Sequence, residues 1–204
     1  GKGTVTACKF DGNDQGGIAV DVHGAGTRLV IRNNHIFSYS LTVYVNTTIT
    51  DECIGVRVRD GAKADVLNNI INYCYFQPAG SNAGGCSSTD SGMGVFVKEG
   101  ARATILGNYF DAIFCPWGNT RGNRLVYAPL STVLRHNFLK ADGHTNTNRV
   151  DGGVTPVDCI VTNPDAKFVA GSNYLLEADS PLKDAGPPDA QYNDRDGTRN
   201  DIGM

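Results

Sequence analysis

The 204-residue sequence predicts an all-β fold in which successive turns of the chain stack as parallel coils. Residues 55–71 (GVRVRDGAKADVLNNII) are repeated at residues 94–110 (GVFVKEGARATILGNYF), with eight of the seventeen positions identical. Apolar and polar residues alternate inside both copies, which is the two-residue period of a β-strand. The i, i+3, i+4, i+7 pattern of an amphipathic helix is absent over three turns, so strands are the predicted repeating element.

Each copy of the repeat is predicted to form a strand, a corner and a second strand. Val56 and Val58 alternate with charged residues in the first strand, and apolar residues alternate with polar ones again after Gly61. Gly61 and its counterpart Gly100 mark the corner, because glycine adopts positive φ without strain. The unit closes on an asparagine.

The asparagines that close the units anchor the repeat along the chain. Residues 28–37 and 131–140 match the second half of the unit, and the anchors are Asn34, Asn69, Asn108 and Asn137, with spacings of 35, 39 and 29. Unequal spacing argues against helical repeat arrays and favours coils with constant strands and loops inserted at changing places. We interpret these asparagines as structural, since stacked side-chain amides about 4.8 Å apart can bond one another.

Composition limits the classes of function. The net charge of −3 does not favour binding to nucleic acid or to an acidic membrane. No apolar run approaches the length of a membrane span. Six cysteines in a Gly-rich chain favour disulfides and an oxidising compartment, and the alternative is that they are small buried hydrophobic residues.

The repeats, together with the C-terminal passage NPDAKFVAGSNYLLEADSPLKDAG and the following NDRDGTRNDIGM, resemble right-handed parallel β-helix proteins of the pectate-lyase-like superfamily. The resemblance implies a single-stranded right-handed parallel β-helix over residues 1–163. It also implies an irregular, proline-rich C-terminal cap over residues 164–204, which we expect to cover the exposed edge of the last coil. An extracellular or cell-surface location follows from the same likeness.

The usual activity of that superfamily implies a catalytic face. Its lyases cleave acidic polysaccharides by β-elimination, with an Arg or Lys as the base and calcium on the uronate carboxylate. Arg59 matches the second arginine of the lyase motif, Arg57 shares its strand face, and Lys98 is the repeat counterpart of Arg59. We therefore name Arg57, Arg59 and Lys98 as candidate catalytic residues. The alternative is ordinary solvated charge on an exposed strand.

Further candidates bind substrate or metal. His144 and Arg149 lie in a long Gly- and Asn-rich segment, and Trp117 lies near Arg121 in another, so these four are candidate substrate-binding residues. Asp21, in AVDVHGAG, resembles a calcium-binding aspartate of pectate lyases, and Asp151 is the second candidate metal ligand. In the tail, Asp194, Asp196 and Asp201 are expected to bind calcium or to form an arginine–aspartate network.

A structural function is the alternative to a polysaccharide-active one. A strand-like alternation begins at the first residues, and it is not preceded by the amphipathic helix that commonly caps such folds. Either the chain is part of a longer β-helix, or a neighbouring copy covers the first coil, giving a non-catalytic structural or adhesive solenoid that stacks head-to-tail into a filament. The predicted partners are thus a polysaccharide and copies of the same chain.

Overall fold

The computed structural model describes residues 1–13, 17–37, 41–43, 53–72, 74, 76–78, 92–111, 124–140, 150–162, 164–172, 174–194 and 196–203. The strands of these residues form three parallel sheets that share the coils of one helix, which confirms the predicted parallel β-helix. Sheet A, in spatial order, contains β1 (Lys2–Thr6), β4 (Arg28–Arg32), β8 (Lys63–Leu67), β12 (Arg102–Leu106), β15 (Val133–Arg135) and β18 (Pro156–Val157).

The other two sheets follow the same order of coils. Sheet B contains β2 (Lys9–Asp11), β5 (His35–Phe37), β9 (Ile70–Asn72), β13 (Tyr109–Asp111) and β16 (Phe138–Leu139). Sheet C contains β3 (Gly17–His23), β7 (Cys53–Arg59), β11 (Met93–Val97), β14 (Arg124–Tyr127) and β17 (Val150–Asp151). A separate parallel pair joins β6 (Leu41–Val43) to β10 (Phe76–Pro78), and a 3-10 turn, η1, spans Ala190–Tyr192.

The core lies between the three sheets, because each sheet turns apolar positions of its strands inward. Each sheet contributes at least one column of buried side chains in register. The columns are Val20, Val56, Val95 and Val126 from sheet C, Ile31, Val66, Ile105 and Leu134 from sheet A, and Ile36, Ile71, Phe110 and Leu139 from sheet B. Identical or similar residues therefore stack on each other, which is why the sequence repeats.

The corner between sheets A and B is the most constant part of the coil. Two residues separate each sheet A strand from the following sheet B strand in the first five coils, for example Asn68 and Asn69. The first of the two has positive φ at every such corner, between 50° and 67° in Ala7, Asn33, Asn68, Gly107 and His136. The second is the anchor residue of the repeat.

The anchor asparagines form the predicted ladder. Asn34 donates from Nδ2 to Oδ1 of Asn69, Asn69 donates to Asn108, and Asn108 donates to Asn137, with each N···O distance 2.9 Å. The backbone N–H of each asparagine also donates to the oxygen of the next one. Cys8 and Cys159 hold the ladder positions beyond its two ends, which the sequence did not reveal.

The long insertions differ from the expectation that they enter at changing places. Residues 38–52, 73–92, 112–123 and 140–149 all lie between a sheet B strand and the next sheet C strand. One corner of the coil therefore accepts all four, while the amide ladder fixes the corner between sheets A and B.

The C-terminal segment packs along the outer face of sheet B. Its predicted role in covering the edge of the last coil stays a prediction. Ala166, Leu182 and Ile202 contact the column of Ile70, Tyr109 and Phe138, which belong to three successive coils. The rings of Tyr109 and Phe138 stack at 5.2 Å. These outward side chains are apolar, so their burial explains why the segment lies there.

The tail carboxylates bind mainly amides, and the expected arginine–aspartate network is not found among the described residues. Asp194 accepts from Asn200 Nδ2 at 3.0 Å and from the backbone N–H of Asp201 at 3.2 Å. Asp201 accepts from the N–H of Asp184 at 2.7 Å. Arg199 donates to the carbonyl of Gly186 at 2.6 Å.

The predicted disulfides are absent among the four described cysteines. Cys8, Cys53, Cys74 and Cys159 form no disulfide with one another. Cys8 and Cys159 are separated by the whole ladder, so they cannot join within one chain, and Cys53 and Cys74 serve as buried core residues. Cys86 and Cys115 lie outside the described residues.

Candidate functional site

The outer face of sheet C carries the three predicted catalytic residues. Val56 and Val58 point into the core, so Arg57 and Arg59 point outward from β7. Lys98 follows Val97, which pairs with Val58, and its N–H donates to the Val58 carbonyl at 2.8 Å. Lys98 is therefore the neighbour of Arg59 on the next coil, as the repeat predicted. The catalytic role of the three residues stays a prediction.

Asp21 lies between the two arginines and binds both of them. Its carboxylate accepts from Arg57 at 2.8 and 3.1 Å and from Arg59 at 2.9 and 3.2 Å. Asp60 also accepts from Arg59. The hydrogen bond from Arg57 is the largest cause that holds the pKa of Asp21 well below its usual range, and Arg59 adds to it against partial burial. The hydrogen bond to Asp21 likewise raises the pKa of Arg59.

These contacts limit what the two arginines can do. A general base must be unprotonated, whereas the carboxylate of Asp21 stabilises the charged guanidiniums. The side chains of Arg57 and Arg59 are 14% and 28% exposed, so they retain access to the surface. Their geometry suits a fixed cationic clamp for an anion or for sugar hydroxyls.

Asp151 lies in the same outward column, at its other end. The column runs in register through Asp21, Arg57, Phe96, Tyr127 and Asp151. Asp151 accepts from Arg124 Nε at 3.1 Å, and its hydrogen bond from the Gly152 N–H, followed by that from Arg124, lowers its pKa. The Arg124 side chain is only 8% exposed.

The predicted calcium role of Asp21 does not fit its surroundings, since both of its oxygens already accept from guanidinium groups. A divalent cation there would face two fixed positive charges. Asp21 and Asp151 are on the two edge strands of sheet C, so they do not share a site. Within the described ranges, no group of three or more His, Cys, Asp or Glu has the arrangement to hold a metal ion.

The aromatic part of this face was missed in the sequence. Phe96, which takes the place of Arg57 in the second copy of the repeat, packs edge-to-face on Tyr127 with ring centroids 5.5 Å apart. Lys98 Nζ lies 5.2 Å from the centre of the Phe96 ring. The sequence does carry a signal for it. At the outward position that Arg57 occupies in the first copy of the repeat, the second copy has the aromatic residue Phe96.

A groove of about 500 Å³ opens beside the aromatic pair. It is bordered by Asp60, Lys98, Glu99, Tyr127 and Pro129, with Gly152 at its end. Ile54 and Met93 form a buried apolar cluster with Phe96, against which Tyr127 also packs. The groove thus combines a rigid aromatic wall with both signs of charge, which is the mixture that orients a polar ligand.

The four predicted substrate-binding residues lie outside the described residues. They are Trp117, Arg121, His144 and Arg149. Trp117 and Arg121 fall between β13 and β14, and His144 and Arg149 fall between β16 and β17, so both segments lead into sheet C. Their role in binding stays a prediction.

Comparison with protein-family models, with curated proteins and with solved structures found no match to this chain. Among the described residues, no helix combines the length and apolar character that crossing a membrane requires.

Proposed function

We propose that this protein is an extracellular, pectate-lyase-like β-helix that binds an extended polysaccharide along the outer face of sheet C. The observation that carries the proposal is the register of Asp21, Arg57, Phe96, Tyr127 and Asp151 in one outward column. Neighbouring strands lie about 4.8 Å apart, which is close to the length of one sugar ring in an extended polymer. Successive rings would then meet successive coils.

The side chains of the face have distinct roles in this proposal. Arg57 and Arg59 hold carboxylate or hydroxyl oxygens, since Asp21 fixes their positions. Tyr127 offers a ring face to the apolar face of a sugar. Lys98, which borders the groove, contacts the sugar ring that binds over Phe96.

Cleavage by β-elimination is the catalytic form of the same proposal. Lys98, which borders the groove one coil from Arg59, is then our candidate base. Its neutral amine would take the proton beside the carboxylate, a carbon–carbon double bond would form as the glycosidic carbon–oxygen bond breaks, and the departing oxygen would take a proton from water. Arg57 and Arg59 would neutralise the uronate carboxylate and so acidify the proton beside it. No step of this scheme is assigned to calcium.

Calorimetric titration with oligogalacturonate, oligoalginate and a neutral oligosaccharide tests the proposal. We expect Tyr127→Ala and Lys98→Gln each to weaken binding at least tenfold, while Lys183→Gln, a surface change in the C-terminal segment, leaves it unchanged. Unsaturated product, read by ultraviolet absorbance, would distinguish a lyase from a binding protein. The proposal fails if the wild-type chain binds none of these ligands, or if the sheet C variants bind like Lys183→Gln.

A specific observation favours self-association as a second candidate function. Cys8 and Cys159 occupy corresponding ladder positions on the first and last coils, and β1 and β18 are the two edges of sheet A. Stacking of one copy on another would continue both the ladder and the sheet. Sedimentation velocity over a range of concentrations tests this, and a monomer at all concentrations excludes it.

A further inference from the structure

A pocket of about 230 Å³ lies between the outer face of sheet A and the C-terminal segment. Leu67 and Leu106, which are paired neighbours on β8 and β12, form an apolar wall on the side of the sheet. Pro187 and Tyr192 border the pocket from the C-terminal segment. The volume is below the roughly 300–1,000 Å³ of pockets that hold drug-sized ligands, so it suits a small molecule.

An amide oxygen at the border of this pocket lacks a hydrogen-bond donor. Asn68 is only 8% exposed, and within the described ranges its Oδ1 is buried without a partner. Its Nδ2 donates to Asn33 Oδ1 at 3.5 Å, which is a long contact. Because a buried acceptor without a donor destabilises the folded chain, a ligand that donates to Asn68 Oδ1 would bring a specific gain.

Gly107 leaves open the space that this oxygen faces. It holds the same corner position as Asn68 on the next coil, and a Cβ on it would lie 3.4 Å from Asn68 Oδ1 and 3.3 Å from Asn200 Oδ1. Asn200 Nδ2 donates to Asp194 Oδ1 at 3.0 Å, so the oxygen of this amide, not its nitrogen, borders the space beside Gly107. Two acceptors thus border one space, which suits a group with several N–H donors.

Charges of opposite sign border the same pocket. Asp194 is hydrogen-bonded to Asn200 and therefore lies on the side of the two amide oxygens. Arg32, at the end of β4, is exposed, and in the part of the chain that the structure describes its guanidinium has no ion pair. Arg135, farther along the same outward column of sheet A, is paired with Asp158. An unpaired guanidinium suits a carboxylate, so the pocket offers one subsite for a cation and one for an anion.

We propose that this pocket binds a free α-amino acid with an apolar side chain. Its ammonium group would donate to Asn68 Oδ1 and Asn200 Oδ1, and its carboxylate would accept from Arg32. The apolar side chain would pack between Leu106 and Tyr192. A zwitterion uses both subsites, whereas an amine or a carboxylate alone uses only one. The pocket belongs to sheet A and the C-terminal segment, so the inference does not depend on polysaccharide binding at sheet C.

Calorimetric titration with three matched probes tests the inference. L-leucine carries both charged groups, 3-methylbutylamine lacks the carboxylate, and 4-methylpentanoate lacks the ammonium group. We expect L-leucine to bind about ten times as tightly as either analogue, or more, because each analogue loses the charge-assisted hydrogen bonds of one subsite.

Two variants remove one subsite each. Asn68→Gly removes the amide oxygen, and glycine adopts the φ of 56° at this corner without strain. Arg32→Gln removes the guanidinium. We expect each variant to weaken L-leucine binding about tenfold or more, whereas Arg32→Gln should bind 3-methylbutylamine as the wild type does. Arg135→Gln is the matched control, since it removes a cation from the same column outside the pocket and should bind L-leucine like the wild type.

Three results would overturn the proposal. Absence of L-leucine binding to the wild type at millimolar concentration would assign the pocket to water. Equal affinity for L-leucine and 3-methylbutylamine would reject the role of Arg32, and equal weakening in Arg135→Gln would reduce the effect to net charge. Melting curves control for folding, and Arg32→Gln decides the question if Asn68→Gly is unstable. Parallel titration with oligogalacturonate keeps the two sites distinct, because Asn68→Gly and Arg32→Gln should leave binding at sheet C unchanged.

Discussion

Asn69 and Asn108, 39 residues apart in the chain, lie on adjacent coils with Nδ2 of Asn69 2.9 Å from Oδ1 of Asn108. Asn69 Nδ2 also donates to the carbonyls of Ile31 and Leu67, at 2.9 and 3.0 Å. One buried amide therefore joins three coils, because Ile31 belongs to the preceding one. This bond fixes the register from which every outward column follows.

Replacing Asn69 by alanine should unfold the protein at much lower denaturant concentration. Asn69 is fully buried, and its loss removes the side-chain partner of the Asn34 N–H and of the Ile31 carbonyl on the preceding coil. We expect the free energy of unfolding to fall by about 3 kcal/mol or more, since each unsatisfied buried group costs about 1–3 kcal/mol. Asn33→Gly is the control, because Asn33 is exposed with φ of 54° and should change stability little.

Asp21→Asn should lower stability at neutral pH and lose its effect in acid. The pKa of Asp21 is lower in the folded chain than in the unfolded one, so its stabilisation is present above the ordinary carboxyl pKa and is lost as pH falls below it. We expect a difference of about 1 kcal/mol, since the carboxylate is partly exposed and screened by solvent. Urea melts of both proteins across the acidic range measure it, and a difference that grows in acid would contradict the assignment.

Gly55→Ala should destabilise the fold through a steric clash. A Cβ at this position would lie 2.7 Å from the Gly94 carbonyl oxygen and 2.8 Å from Ile71 Cγ2. We expect a loss of about 2 kcal/mol, which is typical for overpacking a core. Gly3→Ala is the matched control on β1, where the nearest atom is the flexible end of Leu29 at 3.2 Å, and thermal melts should show little change.

The described cysteines should differ sharply in alkylation rate. Cys8 is exposed, whereas burial raises the pKa of the Cys74 thiol far above its ordinary value and the nearby Cys53 adds to the effect. We expect iodoacetamide to modify Cys8 in the native protein, and Cys53 and Cys74 only after unfolding. Peptide mass mapping measures this. A disulfide-linked peptide pair containing Cys53 and Cys74 would contradict the prediction.

The fold was predictable because the interactions that define it repeat locally. Alternating valines, a corner glycine and a closing asparagine recur in each coil, and each feature has the same physical reason at every occurrence. The same repeat predicted that Arg59 and Lys98 are neighbours on adjacent coils, since equivalent residues of adjacent copies stack.

The candidate site was only partly predictable. The sequence placed Arg57 and Arg59 on one face, but it did not reveal that Asp21, 36 residues before Arg57, binds both. The column of basic residues on the outer face of sheet A was not predictable, because its members are single residues at the starts of separate strands. They are Lys2, Arg28, Lys63 and Arg102. Which outward residues share a column depends on register along the entire helix.

The sequence alone determined that the chain coils, which residues face the core, and that asparagines close each turn. Each of these features depends on residues within a single repeat unit. Tertiary structure decided the remainder. It placed the C-terminal segment on the outer face of sheet B, where three outward apolar residues from different coils are buried by the contact. It also balanced the charges of sheet C and left those of sheet A largely unbalanced, since electrostatic pairing depends on distances between coils that no short stretch of sequence records.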